Sequence, residues 1–216
     1  MNNNDKIIVD TVNTLIDKYE SLKVCKESII ESIKFIVDSY NKDGKVMVCG
    51  NGGSAADSLH IVGELVKSFK KKRPLYNDFI ENISSICIES DYIISNLEGS
   101  LPAISLVNEV SLLTAYATDK APDLSFAQQV YGQGKKNDIL IAISTSGNSA
   151  NVLYAAEVAK AKNIKVIGLT GGNGGKLSSL ADISICVPES EVYRIQELHL
   201  PVYHCICLAL ENVFWQ

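Results

Sequence analysis

No stretch of this chain is long and apolar enough to span a bilayer. Its start, Met1-Asn-Asn-Asn-Asp5, has neither the basic residues nor the apolar core of a leader. A cytoplasmic protein with no membrane partner is expected. An excess of positive charge is also missing: the net charge is −5 and the pI about 5.3, so no global field draws nucleic acid or an anionic surface. The one basic run, Lys70-Lys71-Lys72-Arg73, is local and reads as a solvated helix end. Six cysteines are present, but none forms a CxxC pair, and several sit in apolar runs where a thiol behaves as a small hydrophobe. Cys205-x-Cys207 alone does not make a metal site, and no disulfide framework is expected. No glycine run ends in Gly-Lys-Ser or Gly-Lys-Thr, which excludes a P-loop. Histidine is scarce, with three in the chain, so their placement carries weight.

What is present has the rhythm of an α/β protein of one domain. Ile8, Val12, Leu15, Ile16, Tyr19 and Leu22, then Ile29, Ile33, Ile36, Val37 and Tyr40, recur at helical spacing and predict two amphipathic helices ahead of the first strand. Strands are expected at 45–49, 101–106, 138–143, 165–169 and 183–187, and helices at 55–69, 112–117, 125–131, 150–162, 177–180 and 192–214. Pro201 falls inside the last of these, where it costs a backbone bond and predicts a kink. Residues 75–100 resist assignment: Ile83–Ile88 reads as a strand or a buried turn of helix, and so long a segment is expected to hold structure of its own. Strands alternating with helices point to a parallel sheet covered on both faces, with ligands bound beyond the carboxyl ends of its strands.

Two loops fall at such ends. In Gly50-Asn51-Gly52-Gly53-Ser54, glycines allow close backbone approach and the following helix start offers free N–H groups to an anion. The same residues loosely fit a dinucleotide fingerprint. That motif needs a second strand ending in an acidic residue about twenty positions on, and Lys70–Arg73 stands there instead. A plain tight turn is the other reading. In the second loop, Ser144, Thr145, Ser146 and Ser149 set four hydroxyls in six residues beside Gly147 and Asn148. One serine is an ordinary helix cap; four suit a phosphomonoester held by neutral donors.

All three histidines lie in two segments. His60 and Glu64, four residues apart, share a helix face. Gln196 and His204, eight apart, fall near one face of the last helix, with His199 turned well away. Any single histidine is as well explained by a satisfied core position. The pairing of His60 and Glu64 with His204 favours a shared site. Zinc accepts imidazole and carboxylate, but glutamine is an unusual ligand, so spacing alone leaves metal and no metal both open.

Taken together these motifs resemble the sugar isomerase (SIS) domain family, and within it the phosphoheptose isomerases. The points of resemblance are Cys49-Gly-Asn-Gly-Gly-Ser-Ala-Ala-Asp57 with His60 and Glu64, Leu113-Thr-Ala115 with Asp119, and Ile143-Ser-Thr-Ser-Gly-Asn-Ser-Ala-Asn-Val152. To these are added Leu169-Thr-Gly171 with Gly174-Gly-Lys176, and Arg194-Ile-Gln-Glu197 with His199 and His204. The resemblance implies a three-layer, doubly wound, five-stranded parallel sheet of flavodoxin-like type. It also implies a homotetramer with active sites between subunits and an aldose–ketose isomerase acting on a phosphorylated sugar, sedoheptulose 7-phosphate. It implies Zn2+ held by His60, Glu64, Gln196 and His204. Glu64 and His204 would be the acid/base pair, Asp119 a further polar active-site position, and Asn51, Gly52, Gly53, Ser54, Ser144, Thr145, Ser146, Ser149 and Gln196 would hold the substrate. Residues 1–216 would form one SIS domain with a helical segment at 1–43 and an insertion at 75–100 that family members lack. An arginine usual after Glu64 is replaced by Ser68, which bears on the sugar recognised. Two rival functions stand beside this one: a non-catalytic SIS-domain protein of the replication-initiator-associating type, which lacks the counterpart of His204, and an isomerase of another sugar phosphate.

Overall fold

The computed structural model describes residues 3–216. Its elements run α1 (Asn3–Lys18), α2 (Lys26–Tyr40), β1 (Val46–Cys49), α3 (Gly53–Val66), α4 (Asn77–Ile86), α5 (Ser90–Asn96), β2 (Ala103–Ser105), α6 (Val110–Asp119), α7 (Ser125–Gln133), β3 (Ile139–Ile143), α8 (Ala150–Ala161), β4 (Lys165–Gly171), α9 (Gly175–Leu180), β5 (Ile183–Val187) and α10 (Val192–Phe214). The five strands form one parallel sheet in the order β2-β1-β3-β4-β5. The order reverses between β1 and β3, and there a crevice opens beyond the strand ends.

The two-residue strand period decides the layers. Val46 and Val48, Ile139, Ile141 and Ile143, Ile167 and Leu169 point to one face, where they meet α2, α3 and α10, with α1 packed outside on α2 and α10. Met47 and Cys49, Leu140 and Ala142, and Val166 point to the other, against α7, α8 and α9. β1 and β3 are buried along their whole length, which explains their continuous apolar runs. Burial at roughly 25 cal/mol per Å² of apolar surface on both faces is the main force holding the sheet to its helices.

Two expectations need correcting. Ile83–Ile88 is neither a strand nor buried: its first residues close α4, and no residue of α4 or α5 is buried. The segment does hold structure of its own, but Ile86, Ile88 and Tyr92 stand in the open. Ile83 and Ile86 fall on a short helix that packs on no core, and Ile88 on the turn after it, not on a strand beside β2. The basic run is not a solvated helix end. α3 stops at Val66 and the run follows it. Lys70–Lys72 are exposed, but Arg73 is 1 % exposed. Its Nε bonds Glu211 Oε1 at 2.8 Å, and its Nη1 and Nη2 bond the carbonyls of Leu65 (2.7 Å) and Glu64 (2.9 Å). An arginine here satisfies the last carbonyls of α3 and complements the helix dipole, so its charge is used inside. Helix α10 runs unbroken through Pro201. All six cysteines are free thiols, and among the described residues no helix is long and apolar enough to cross a membrane.

Candidate active site

β1 and β3 are neighbours, so the loops that follow them lie side by side at one end of the sheet. A reciprocal amide pair ties them together: Asn51 Nδ2 donates to Asn151 Oδ1, and Asn151 Nδ2 to Asn51 Oδ1, each at 2.8 Å. Within the second loop, Ser144 and Ser149 hydroxyls are 3.1 Å apart, and Gly147 N–H bonds the Ser144 carbonyl. Gly147 takes φ +65°, and a Cβ there would stand 1.9 Å from the Gly174 carbonyl oxygen, so only glycine lets the turn close against the loop after β4. Asn148 completes that contact by accepting from the Lys176 N–H at 3.2 Å. Ser144 and Ser54 are buried, Thr145 and Ser149 half-buried and Ser146 exposed. The residues that open α3 and α8, Gly52 and Ser149, place no side chain on the first turn; in α8 Asn151 Oδ1 accepts from the Val152 N–H at 3.0 Å, and the first N–H groups of each helix are where an anion would bind.

The second half of the site comes from α3 and α10. His60 Nε2 lies 3.2 Å from Glu64 Oε1, as one-turn spacing requires. The His204 ring stands 5.0 Å from that of His60, centroid to centroid, nearly perpendicular. Gln196, two turns earlier on α10, packs on Gly53: a Cβ there would fall 2.5 Å from its Nε2. The helix start, the imidazoles and the amide are thus drawn to one place. Asp119 is not: it is exposed at the end of α6 and no bond joins it to this cluster. His199 is wholly buried away from it, where burial pushes its imidazole down to about 4, opposed by the Thr170 backbone.

Three residues beyond those expected join the cluster. The Tyr203 hydroxyl bonds both His60 Nδ1, at 3.0 Å, and Asp57 Oδ1, at 3.3 Å. Asp57 precedes His60 by three residues and so shares its face, a sign that the sequence did carry. Tyr203 and Asn151 had no such sign, because their partners are distant in the chain. Burial lifts the Asp57 carboxyl above its ordinary range, with the Tyr203 hydroxyl and His60 opposing. Burial lowers His204, as does the nearby His60, while Glu64 raises it.

Several polar atoms here lack partners. Glu64 Oε2 and His204 Nε2 are buried with no hydrogen bond, as is Asp57 Oδ2, and such atoms are costly unless something binds them. Among the described residues no three His, Cys, Asp or Glu side chains already stand as a ligand set. The donors are nonetheless of the type zinc takes, and two donors on one tetrahedral zinc stand roughly 3.3 Å apart, close to the His60–Glu64 separation. In type, the residues are ones the ion takes.

A family model described as a SIS domain matches residues 10–99 and 98–171. The chain is 36% identical over 212 residues to a phosphoheptose isomerase of Thiobacillus denitrificans, covering 97% of this chain and 95% of that one. It is 42% identical over 178 residues to one of Nitratiruptor, 82% of each chain. The solved structure of a phosphoheptose isomerase from Francisella tularensis superposes with a TM-score of 0.75 at 32% identity, covering 98% of this chain and 100% of that one.

Proposed function

Because the chain belongs to the SIS-domain family and within it to the phosphoheptose isomerases, we propose that it interconverts sedoheptulose 7-phosphate and glycero-manno-heptose 7-phosphate through an enediol. The observation that carries the chemistry is the meeting of His60, Glu64 and His204, with Glu64 Oε2 and His204 Nε2 buried and unpartnered beside two loops rich in anion donors.

In this reading the phosphate sits against Ser54 and the Ser144–Ser149 loop, with Asn51 holding the two loops at their spacing. Neutral hydroxyls and N–H groups at helix starts bind a dianion without a lysine. Gln196 and the Gly52–Gly53 backbone border the sugar chain. A divalent ion held by His60, Glu64, Gln196 and His204 supplies polarisation of the carbonyl and its neighbouring hydroxyl when bound. Glu64 and His204 move the proton: one takes it from the carbon next to the carbonyl, and the other returns one to the adjacent carbon. Asp119 enters the site only from a neighbouring subunit or after movement of α6. A homotetramer would supply the first, and a groove of about 410 Å³ running past Leu15, Tyr19, Leu200, Pro201 and His204 is a surface on which a second copy could seat. The enzyme works in the cytoplasm.

The deciding experiment is NMR in deuterium oxide with sedoheptulose 7-phosphate, before and after chelation and zinc return. Deuterium incorporation and conversion, lost on chelation and restored by zinc, are expected. No exchange under any metal condition would move the protein to the binding class or to a pentose or hexose phosphate.

A second test concerns Gly53. Gly53→Ala forces the far end of Gln196 aside while leaving the backbone intact. A fall in kcat/KM of at least roughly tenfold is expected, since displacements of about 1 Å cost up to a hundredfold. Unchanged kinetics would remove Gln196 from the site.

A further inference from the structure

Tyr203 precedes His204 on α10 but serves the other histidine. Its ring is 2 % exposed, and its hydroxyl meets only His60 Nδ1 and Asp57 Oδ1. A phenol keeps its proton near neutral pH, its ordinary range lying about 10, and the hydroxyl is placed to donate to Asp57 Oδ1. A carboxylate oxygen can only accept. The single hydroxyl hydrogen therefore goes to Asp57, and the hydroxyl oxygen accepts from His60. Nδ1 of His60 is then the protonated nitrogen and Nε2 is bare. That bare nitrogen faces Glu64 Oε1 at 3.2 Å. Two acceptors set face to face repel unless a cation lies between them.

We propose that Tyr203 is a positioning residue: braced by Asp57, it takes the Nδ1 proton of His60 and holds Nε2 bare toward Glu64, so that the pair is set in advance for a divalent cation. The inference rests on reading His60 and Glu64 as metal ligands. It adds what fixes the tautomer, namely a phenol relaying a carboxylate rather than a carboxylate acting directly. Outer hydrogen bonds of this kind orient a ligating imidazole and raise its basicity.

The test uses the full-length metal-free protein with labelled histidine nitrogens. Long-range proton–nitrogen correlations are read at mildly alkaline pH, followed by zinc competition against a chromophoric chelator. Wild type is expected to carry the His60 hydrogen on Nδ1. Tyr203→Phe keeps the ring and is expected to lose that preference and to bind Zn2+ roughly ten- to a hundredfold more weakly. Asp57→Asn, which keeps an acceptor for the hydroxyl, should shift less in the same direction, and it carries the test if Tyr203→Phe does not fold. A wild-type hydrogen on Nε2, or a tautomer and zinc affinity unchanged in the variants, overturns the proposal. A wild type that holds Nδ1–H yet binds no zinc would instead overturn the metal reading beneath it.

Discussion

Replacing Glu64 by glutamine is expected to lower kcat by roughly a thousandfold or more while leaving sugar-phosphate binding intact. The substitution keeps the shape of the side chain, and the backbone of residue 64 stays pinned by the Arg73 guanidinium on its carbonyl. What goes is the negative charge beside His60 and the basic oxygen, Oε2, that has no partner inside the protein. An amide can neither take a proton from carbon nor serve zinc as a carboxylate does. The proposed phosphate cradle is a separate element, the first turn of α3 and the Ser144–Ser149 loop, whose two loops are tied by the Asn51–Asn151 pair. Calorimetric binding of the substrate should therefore survive. Isomerisation within tenfold of wild type would take Glu64 out of the proton chemistry.

The second large effect is on stability. Glu211→Ala should cost about 3–5 kcal/mol, the usual result of removing one partner of a buried ion pair, and lower Tm by on the order of 10 °C for a chain of this size. Both side chains of the Arg73–Glu211 pair are wholly buried. Glu211 also accepts from the backbone N–H groups of Phe69, Lys70 and Lys71, and the Trp215 ring covers the guanidinium at 4.7 Å. Burial works against the Glu211 charge, but those N–H groups and Arg73 outweigh it and hold the carboxyl below its ordinary range. The sign follows: the stability is fully present above the unfolded carboxyl range, about 4.3, and is lost as pH falls through the lower folded value. Melting curves at fixed protein concentration should show wild type losing stability on acidification through that window and Glu211→Ala losing much less. Equal slopes would show the pair to be energetically idle.

Much of this was legible from local spacing. β3 could be read from an unbroken apolar run, and the His60–Glu64 contact from a four-residue interval. Chemistry that depends on distant partners was not. Arg73 looked solvated because nothing near it in the chain announces Glu211, and Tyr203 drew no assignment because Asp57 lies on another helix. The isoleucines of 83–88 suggested burial because apolar residues usually find a core; here the chain leads them away from one. Asp119 came in by resemblance alone, and the fold of one chain leaves it apart from the histidines.

The way the 75–100 segment joins the rest has a consequence for engineering. The Gly99 N–H bonds the Arg73 carbonyl at 2.8 Å, and Glu98 Oε2 accepts from the Ser68 N–H at 3.0 Å, so the chain departs and returns beside the end of α3. A segment hung from such a staple is a cassette. The loop-closure cost of its length is small, about 0.6 kcal/mol for each doubling. With Glu98 and Gly99 kept, residues 77–96 are expected to tolerate shortening or exchange, which a melting curve of the shortened chain would check. The same doorway would let a lineage try out new surfaces while the catalytic frame stays fixed.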